Sequence, residues 1–230
     1  MCVFQLSFIL ALVSPCVSDI FTNGITRNLA HPKKSLMGLY TKLDIEKYNN
    51  VMIKNVVKLC QIQCNQIYSV LQVGFGPGLG LQEALKYPTD PRGRLLGLDS
   101  EYMQKVALER LGPQLASGRV HLLLGRVECI PLPDHCISGN HSKSLNTIPS
   151  ISSSPVGGKM LATCDLGFLR HGVERGFFKG KTVEPEPYLQ ALRAVGFLGV
   201  SMKDLTDEGK SFQVIYTTSP PPSTTETQTR

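Results

Sequence analysis

The chain has 230 residues, a hydrophobic share of 42%, a mean hydropathy of −0.01 and a formal net charge of +6. That length suits one globular domain with extensions, and the composition suits a packed core, which excludes a disordered or fibrous chain. The charge is scattered without a Lys/Arg run or interleaved aromatics, which argues against direct nucleic-acid binding, and seven cysteines with no CxxC pair make neither a disulfide framework nor a zinc motif.

Residues 1–26 open on "MCVFQLSFILALVSPCVS", uncharged before Asp19 and apolar over about a dozen residues. The stretch has the length of a signal-peptide core but lacks a basic start, and it is shorter than the roughly twenty apolar residues of a spanning helix. It reads as an uncleaved signal or membrane anchor, or as a hydrophobic docking helix; the expected location is cytoplasmic or membrane-associated.

From Ile45 to Gln63, Ile45, Tyr48, Met52, Val56, Leu59 and Cys60 recur at three-and-four spacing, predicting an amphipathic helix with Cys60 and Cys64 on its apolar face. Tyr68 to Val73 reads as a short strand stopped by Gly74. Helix formers resume at Leu79 and end in "YPTDPRG", where two prolines and a glycine break the pattern. "RLLGLD" is a second strand ending in Asp99, and Ser100 caps a helix over "SEYMQKVALERL". "GRVHLLLG" is a third strand. The alternation of near-continuous apolar strands with helices predicts an α/β, doubly wound, mostly parallel sheet.

Residues 134–157 then lack any apolar or helical pattern and read as an irregular insert. Order resumes with a strand in "GGKMLATCDL", a helix in "EPYLQALRAVG" ended by Gly196, and a hairpin of "FLGVSMKDL" and "SFQVIYTT" around "TDEGK". Residues 218–230 are Pro/Ser/Thr-rich with nothing to bury and are expected to be disordered. The expected organisation is therefore an apolar segment 1–26, a domain 27–217 and a tail 218–230.

Chemistry enters at "VGFGPGLG". Gly74, Gly76 and Gly78 lie between strand and helix, where missing β-carbons permit positive φ and close approach of a ligand to the backbone. A dinucleotide fingerprint needs a third glycine where Leu79 stands, and no Tyr-x-x-x-Lys pair supports a nicotinamide oxidoreductase. The spacing GxGxG is the one associated with S-adenosylmethionine. Asp99, at the end of the next strand, can accept hydrogen bonds from both hydroxyls of an adenosine ribose, or serve only as a helix cap. Met103, one turn on, packs on an adenine or in the core.

Taken together, "VLQVGFGPGLGLQEAL", "GRLLGLDSEYMQKVALERL", "GRVHLLLGRVECIPLPD" and "GGKMLATCDL" resemble successive motifs of the class I S-adenosylmethionine-dependent methyltransferases of the type 11, small-molecule methylase group. The resemblance covers residues 27–133 and 156–217. It implies a Rossmann-like seven-stranded sheet in order 3-2-1-4-5-7-6, S-adenosyl-L-methionine as cofactor and a small-molecule methyl acceptor. It places the methionine moiety near Val73, Gly74, Phe75, Gly76 and Gly78, the ribose at Asp99, and the adenine near Ser100, Met103, Arg126 and Val127. No metal is implied.

Three positions depart from the family pattern. Gln72 stands where an acid is common, and Arg126 replaces an Asp that would accept from the adenine amino group. The third departure is larger: residues 134–157 lack the apolar content of a fourth strand and its following helix, so strand 4 is expected to be missing or replaced. The alternative reading is accordingly a catalytically impaired relative that retains at most cofactor binding. No catalytic residue is assigned; Glu128, His121, His135 and His141 are the nearest bases in sequence, and His121 inside a strand reads better as a core histidine. The cluster Cys129, His135, Cys136 and His141 matches no metal-ligand spacing. Phe168, Phe177 and Phe178 line an acceptor pocket or cover the sheet.

Overall fold

The computed structural model describes residues 36–60, 69–87, 92–125, 129–132, 139–142, 158–174 and 183–220. Helix α1 (Leu36–Leu59) leads into β1 (Ser69–Val73), α2 (Leu79–Ala84), β2 (Arg94–Asp99), α3 (Glu101–Ala116) and β3 (Val120–Leu124). Then come β4 (Gly139–Ser142), β5 (Lys159–Cys164), α4 (Leu166–Glu174), α5 (Glu186–Ala194), β6 (Leu198–Asp207) and β7 (Lys210–Thr218).

The seven strands lie in the order β3-β2-β1-β4-β5-β7-β6, the order the resemblance implies. β1 pairs in parallel with β2 and β4, β2 with β3, and β4 with β5, while β7 runs antiparallel to β5. β6 turns into β7 through Glu208 and Gly209, with φ of 47° and 73°; two positive φ values in a two-residue loop suit the right-handed twist of a hairpin.

The expected absence of strand 4 is corrected. Gly139–Ser142 forms a four-residue strand that pairs Leu71 with Asn140 and Gln72 with His141 on one side, and Asn140 with Met160 on the other. Pattern reading asks for apolar side chains, but a ladder is made by backbone. The edges of β1 and β5 need partners for their N–H and C=O groups, and a short polar stretch supplies them. What joins β4 to β5 falls outside the described residues, as do residues 1–26 and 221–230; of the expected tail 218–230, Thr218 closes β7 and the Ser219 N–H donates to the Gly158 carbonyl at 2.9 Å.

Alternation along the strands assigns the two sheet faces. On one, Leu71, Val73, Leu96 and Leu98 form a cluster joined by Leu123, Ile130 and Leu132. On the same face further along the sheet, Met160, Ala162 and Ile215 pack with Tyr188, Leu189 and Leu192 of α5 and with Phe197. The opposite face carries Val70, Gln72, Leu95 and Gly97 in register, and meets α2 through Leu81. Two compact units separate among the described residues: the sheet with α2, α3 and α5, and a smaller one holding the first part of α1, α4 and the β6–β7 turn. In α1, which contributes to both, Met52, Ile53, Val56 and Val57 are buried.

Candidate functional site

The glycine loop leaves the C-terminal end of β1. Gly74, Gly76 and Gly78 have φ of 69°, 54° and 84°, so three of five consecutive residues sit in the left-handed region that favours glycine. Between the first two, Phe75 turns inward and is 3% exposed. Its ring lies against Gly97 of β2, where a Cβ would meet ring carbon Cδ1 at 2.7 Å, Leu81 at 2.9 Å and Leu122 at 3.1 Å. The loop is thus anchored by a buried aromatic that a glycine in the neighbouring strand admits.

The three glycines serve different ends. A Cβ on Gly74 or Gly76 would meet nothing within 4 Å, so these two present bare backbone to open space. A Cβ on Gly78 would lie 2.8 Å from Leu111 Cδ1, so this glycine lets α2 start close to α3. Gly80, next along, faces the Gln72 side chain; a Cβ there would lie 2.5 Å from Nε2 and 2.6 Å from Oε1. The close helix–strand packing that a dinucleotide fingerprint obtains at the position of Leu79 is obtained one residue later.

Asp99 closes the site. Its Oδ2 accepts a hydrogen bond from the Gly76 N–H at 2.8 Å, and its Oδ1 accepts from the Ser100 N–H at 2.7 Å. The Gly74 N–H donates to the Leu98 carbonyl at 2.8 Å. Ser100 caps α3, its Oγ accepting from the Met103 N–H at 3.5 Å. An ionised carboxylate offers about four acceptor sites, and two are used by these amides.

No family model matches the chain. An uncharacterized methyltransferase of Bacillus subtilis (strain 168), YdaC, is 42% identical over 78 residues, which are 32% of this chain. The chain spans 40% of the length of that curated relative. A solved SAM dependent methyltransferase from Aquifex aeolicus superposes with a TM-score of 0.57 at 18% identity, over 77% of this chain and 95% of that one. A putative S-adenosyl-L-methionine-dependent methyltransferase from Methanococcus maripaludis gives 0.57 at 16% identity, over 83% and 96%. The fold is that of the class I S-adenosylmethionine-dependent methyltransferases.

In this methyltransferase fold the residues expected at the site divide by exposure. Gly74 and Gly76 after β1, Asp99 at the end of β2, and Ser100 and Met103 at the start of α3 reach the surface; Val73, Phe75 and Gly78 are buried. Arg126 and Val127 lie outside the described residues, as do Glu128, His135, Cys136, Phe177 and Phe178. His141 stands in β4 opposite Gln72 in register. His121, within β3, has Nε2 enclosed with no hydrogen-bond partner, as has Gln72 Oε1 in β1. Phe168 belongs to α4, where its N–H donates to Asp165 Oδ1 at 2.7 Å.

Gly80 and Gly97 escaped the sequence reading although each had a signal. A lone glycine inside the apolar strand "RLLGLD" marks a close approach, and the small residue after Leu79 marks another. Among the described residues no group of three or more His, Cys, Asp or Glu could hold a metal ion. None of the described helices is long and apolar enough to cross a membrane, and the 1–26 segment, expected to be an uncleaved signal, an anchor or a docking helix, is outside them.

Proposed function

We propose that the chain is an S-adenosylmethionine-dependent methyltransferase acting on a small-molecule acceptor. The observation that carries the proposal is the pairing of two open-faced glycines with a carboxylate that still has acceptor capacity: Gly74 and Gly76 beside Asp99. Their chemistry suits the cofactor. Bare loop backbone lets the amino-acid end approach closely, and the free lone pairs of Asp99 suit a ribose diol.

S-adenosylmethionine supplies an electrophilic methyl group on its sulfonium, taken by in-line attack. The work left to the protein is binding, orientation and exclusion of water, so no acid–base triad is required. Loop residues 73–78 hold the methionine moiety, with Val73, Phe75 and Gly78 acting through their backbone. Asp99 fixes the ribose, and Ser100 and Met103 at the start of α3 flank the adenine together with Arg126 and Val127. The domain that does this spans residues 27–217.

The impaired alternative was motivated by a missing fourth strand. β4, paired between β1 and β5, makes the sheet beside the loop continuous, which supports the active reading over the impaired one, while the helix expected after it falls outside the described residues. Isothermal titration of the full chain with S-adenosylhomocysteine and with NAD tests the proposal. Micromolar binding of the first alone is expected, and heat with NAD alone would overturn it.

A further inference from the structure

The Asp99 carboxylate does something before any ligand arrives. We propose that Asp99 is also a positioning residue for the glycine loop, acting through the Gly76 N–H, so that one carboxylate both pre-forms the cradle and reads the ligand's diol. The second half of this inference rests on the cofactor reading above; the first half does not.

Among the described residues, hydrogen bonds from the three glycine amides hold the loop. The Gly74 N–H donates to the Leu98 carbonyl at 2.8 Å, the Gly78 N–H to the Phe75 carbonyl at 3.0 Å, and the Gly76 N–H to Asp99 Oδ2 at 2.8 Å. The first is a continuation of the β1–β2 ladder and the second a turn within the loop. Gly76 lies between them at φ 54°, with open space where a side chain would be. No described atom would touch a Cβ built there, and a glycine gains more freedom than any other residue when released. The Asp99 bond spans 23 residues of sequence and joins the loop to the end of β2.

The second oxygen is held as firmly. Oδ1 accepts from the Ser100 N–H at 2.7 Å, at the start of α3, so the carboxylate plane is fixed between loop and helix. Each oxygen then keeps acceptor capacity, on a half-buried residue hydrogen-bonded to half-buried Gly76 and two residues from exposed Gly74 along that loop. A diol can be accepted without displacing either amide. The ligand therefore meets a loop already ordered, and the entropy of ordering it does not weaken binding.

The experiment has two arms on the full chain. In the first, backbone amide exchange is followed by NMR in ligand-free wild type, Asp99→Ala and Asp99→Asn. Exchange at Gly76 should rise at least tenfold in Asp99→Ala while β5 keeps its protection. Asp99→Asn covers a failure of the alanine variant to fold: one of the two amides must then face an NH2 donor, so exchange rises at Gly76 or at Ser100. In the second arm, S-adenosylhomocysteine and its 2′,3′-dideoxy analogue are titrated into wild type and the variant. A pure ribose contact would leave the dideoxy analogue unaffected by the substitution, whereas the positioning role predicts that both ligands weaken severalfold. Unchanged exchange at Gly76 and Ser100, or undiminished binding of the dideoxy analogue, overturns the inference. If neither ligand binds wild type, the cofactor reading fails and the exchange arm still decides the loop.

Discussion

The Phe75 ring sits over Gly97, and a β-carbon there would lie 2.7 Å from it. The contact joins the glycine loop to the middle of the sheet: a side chain from the loop fills the place that β2 leaves empty. Gly97 is crowded from three sides, by Phe75, Leu81 and Leu122, and the nearest of these, the Phe75 ring, is rigid and buried. Gly97→Ala should therefore destabilise the fold by about 1–3 kcal/mol through overpacking. Urea denaturation measures it; an unchanged midpoint would mean that the loop is not seated on β2.

The loop glycines should separate by function. Gly78→Ala combines a positive φ with overlap onto Leu111 and should cost about 2–4 kcal/mol of stability. Gly74→Ala and Gly76→Ala meet no neighbour and should cost about 1–2 kcal/mol, from backbone strain alone. Binding of S-adenosylhomocysteine by the folded Gly74 and Gly76 variants should nonetheless fall at least tenfold, since the new methyl enters the open cradle. Parallel melting and titration of the three variants separates the two effects.

Stability should fall on the alkaline side. Burial pushes the Cys60 thiol from its ordinary 9.0 up to about 12, with the Lys159 ammonium opposing the shift. Burial, aided by the neighbouring Cys164, also raises the Tyr188 phenol above its ordinary 10.0. Both groups hold their protons more tightly in the folded state. Their contribution is complete below about pH 9, and is lost as pH rises, first through the Cys60 interval and from about pH 10 for Tyr188. Urea midpoints at pH 8, 9.5 and 11 should decline in that order, and Tyr188→Phe should flatten the last step.

The same burial predicts thiol reactivity. Cys129 is exposed, Cys164 is buried at the end of β5, and Cys60 is half-buried with its thiolate disfavoured. Iodoacetamide at pH 8, followed by peptide mapping, should modify Cys129 well before Cys60 or Cys164. Equal rates at Cys60 and Cys129 would contradict the packing at the end of α1.

Much of this architecture was legible in the residues. Apolar runs at β1, β2, β3 and β5, the cap at Ser100, the stop at Gly196 and the hairpin turn at Glu208–Gly209 all carry local signals, because burial and positive φ restrict residue type. The fourth strand was not legible, since "GNHS" is held by backbone pairing to β1 and β5 and needs no apolar side chains. At the site, Gly74, Gly76 and Asp99 stood out by type and spacing. That Phe75 turns inward, that Gly78 faces Leu111, and that Asp99 holds the Gly76 N–H depend on atoms brought together from three separate elements, which no spacing in one segment encodes.

The central claim is that the loop 73–78 and the end of β2 form the S-adenosylmethionine site. Hydrogen–deuterium exchange of the full chain with and without saturating S-adenosylhomocysteine tests it directly. Protection is predicted in the peptides covering 72–84 and 96–106, with β6 and β7 unchanged. Protection elsewhere with those two segments unaltered would contradict it.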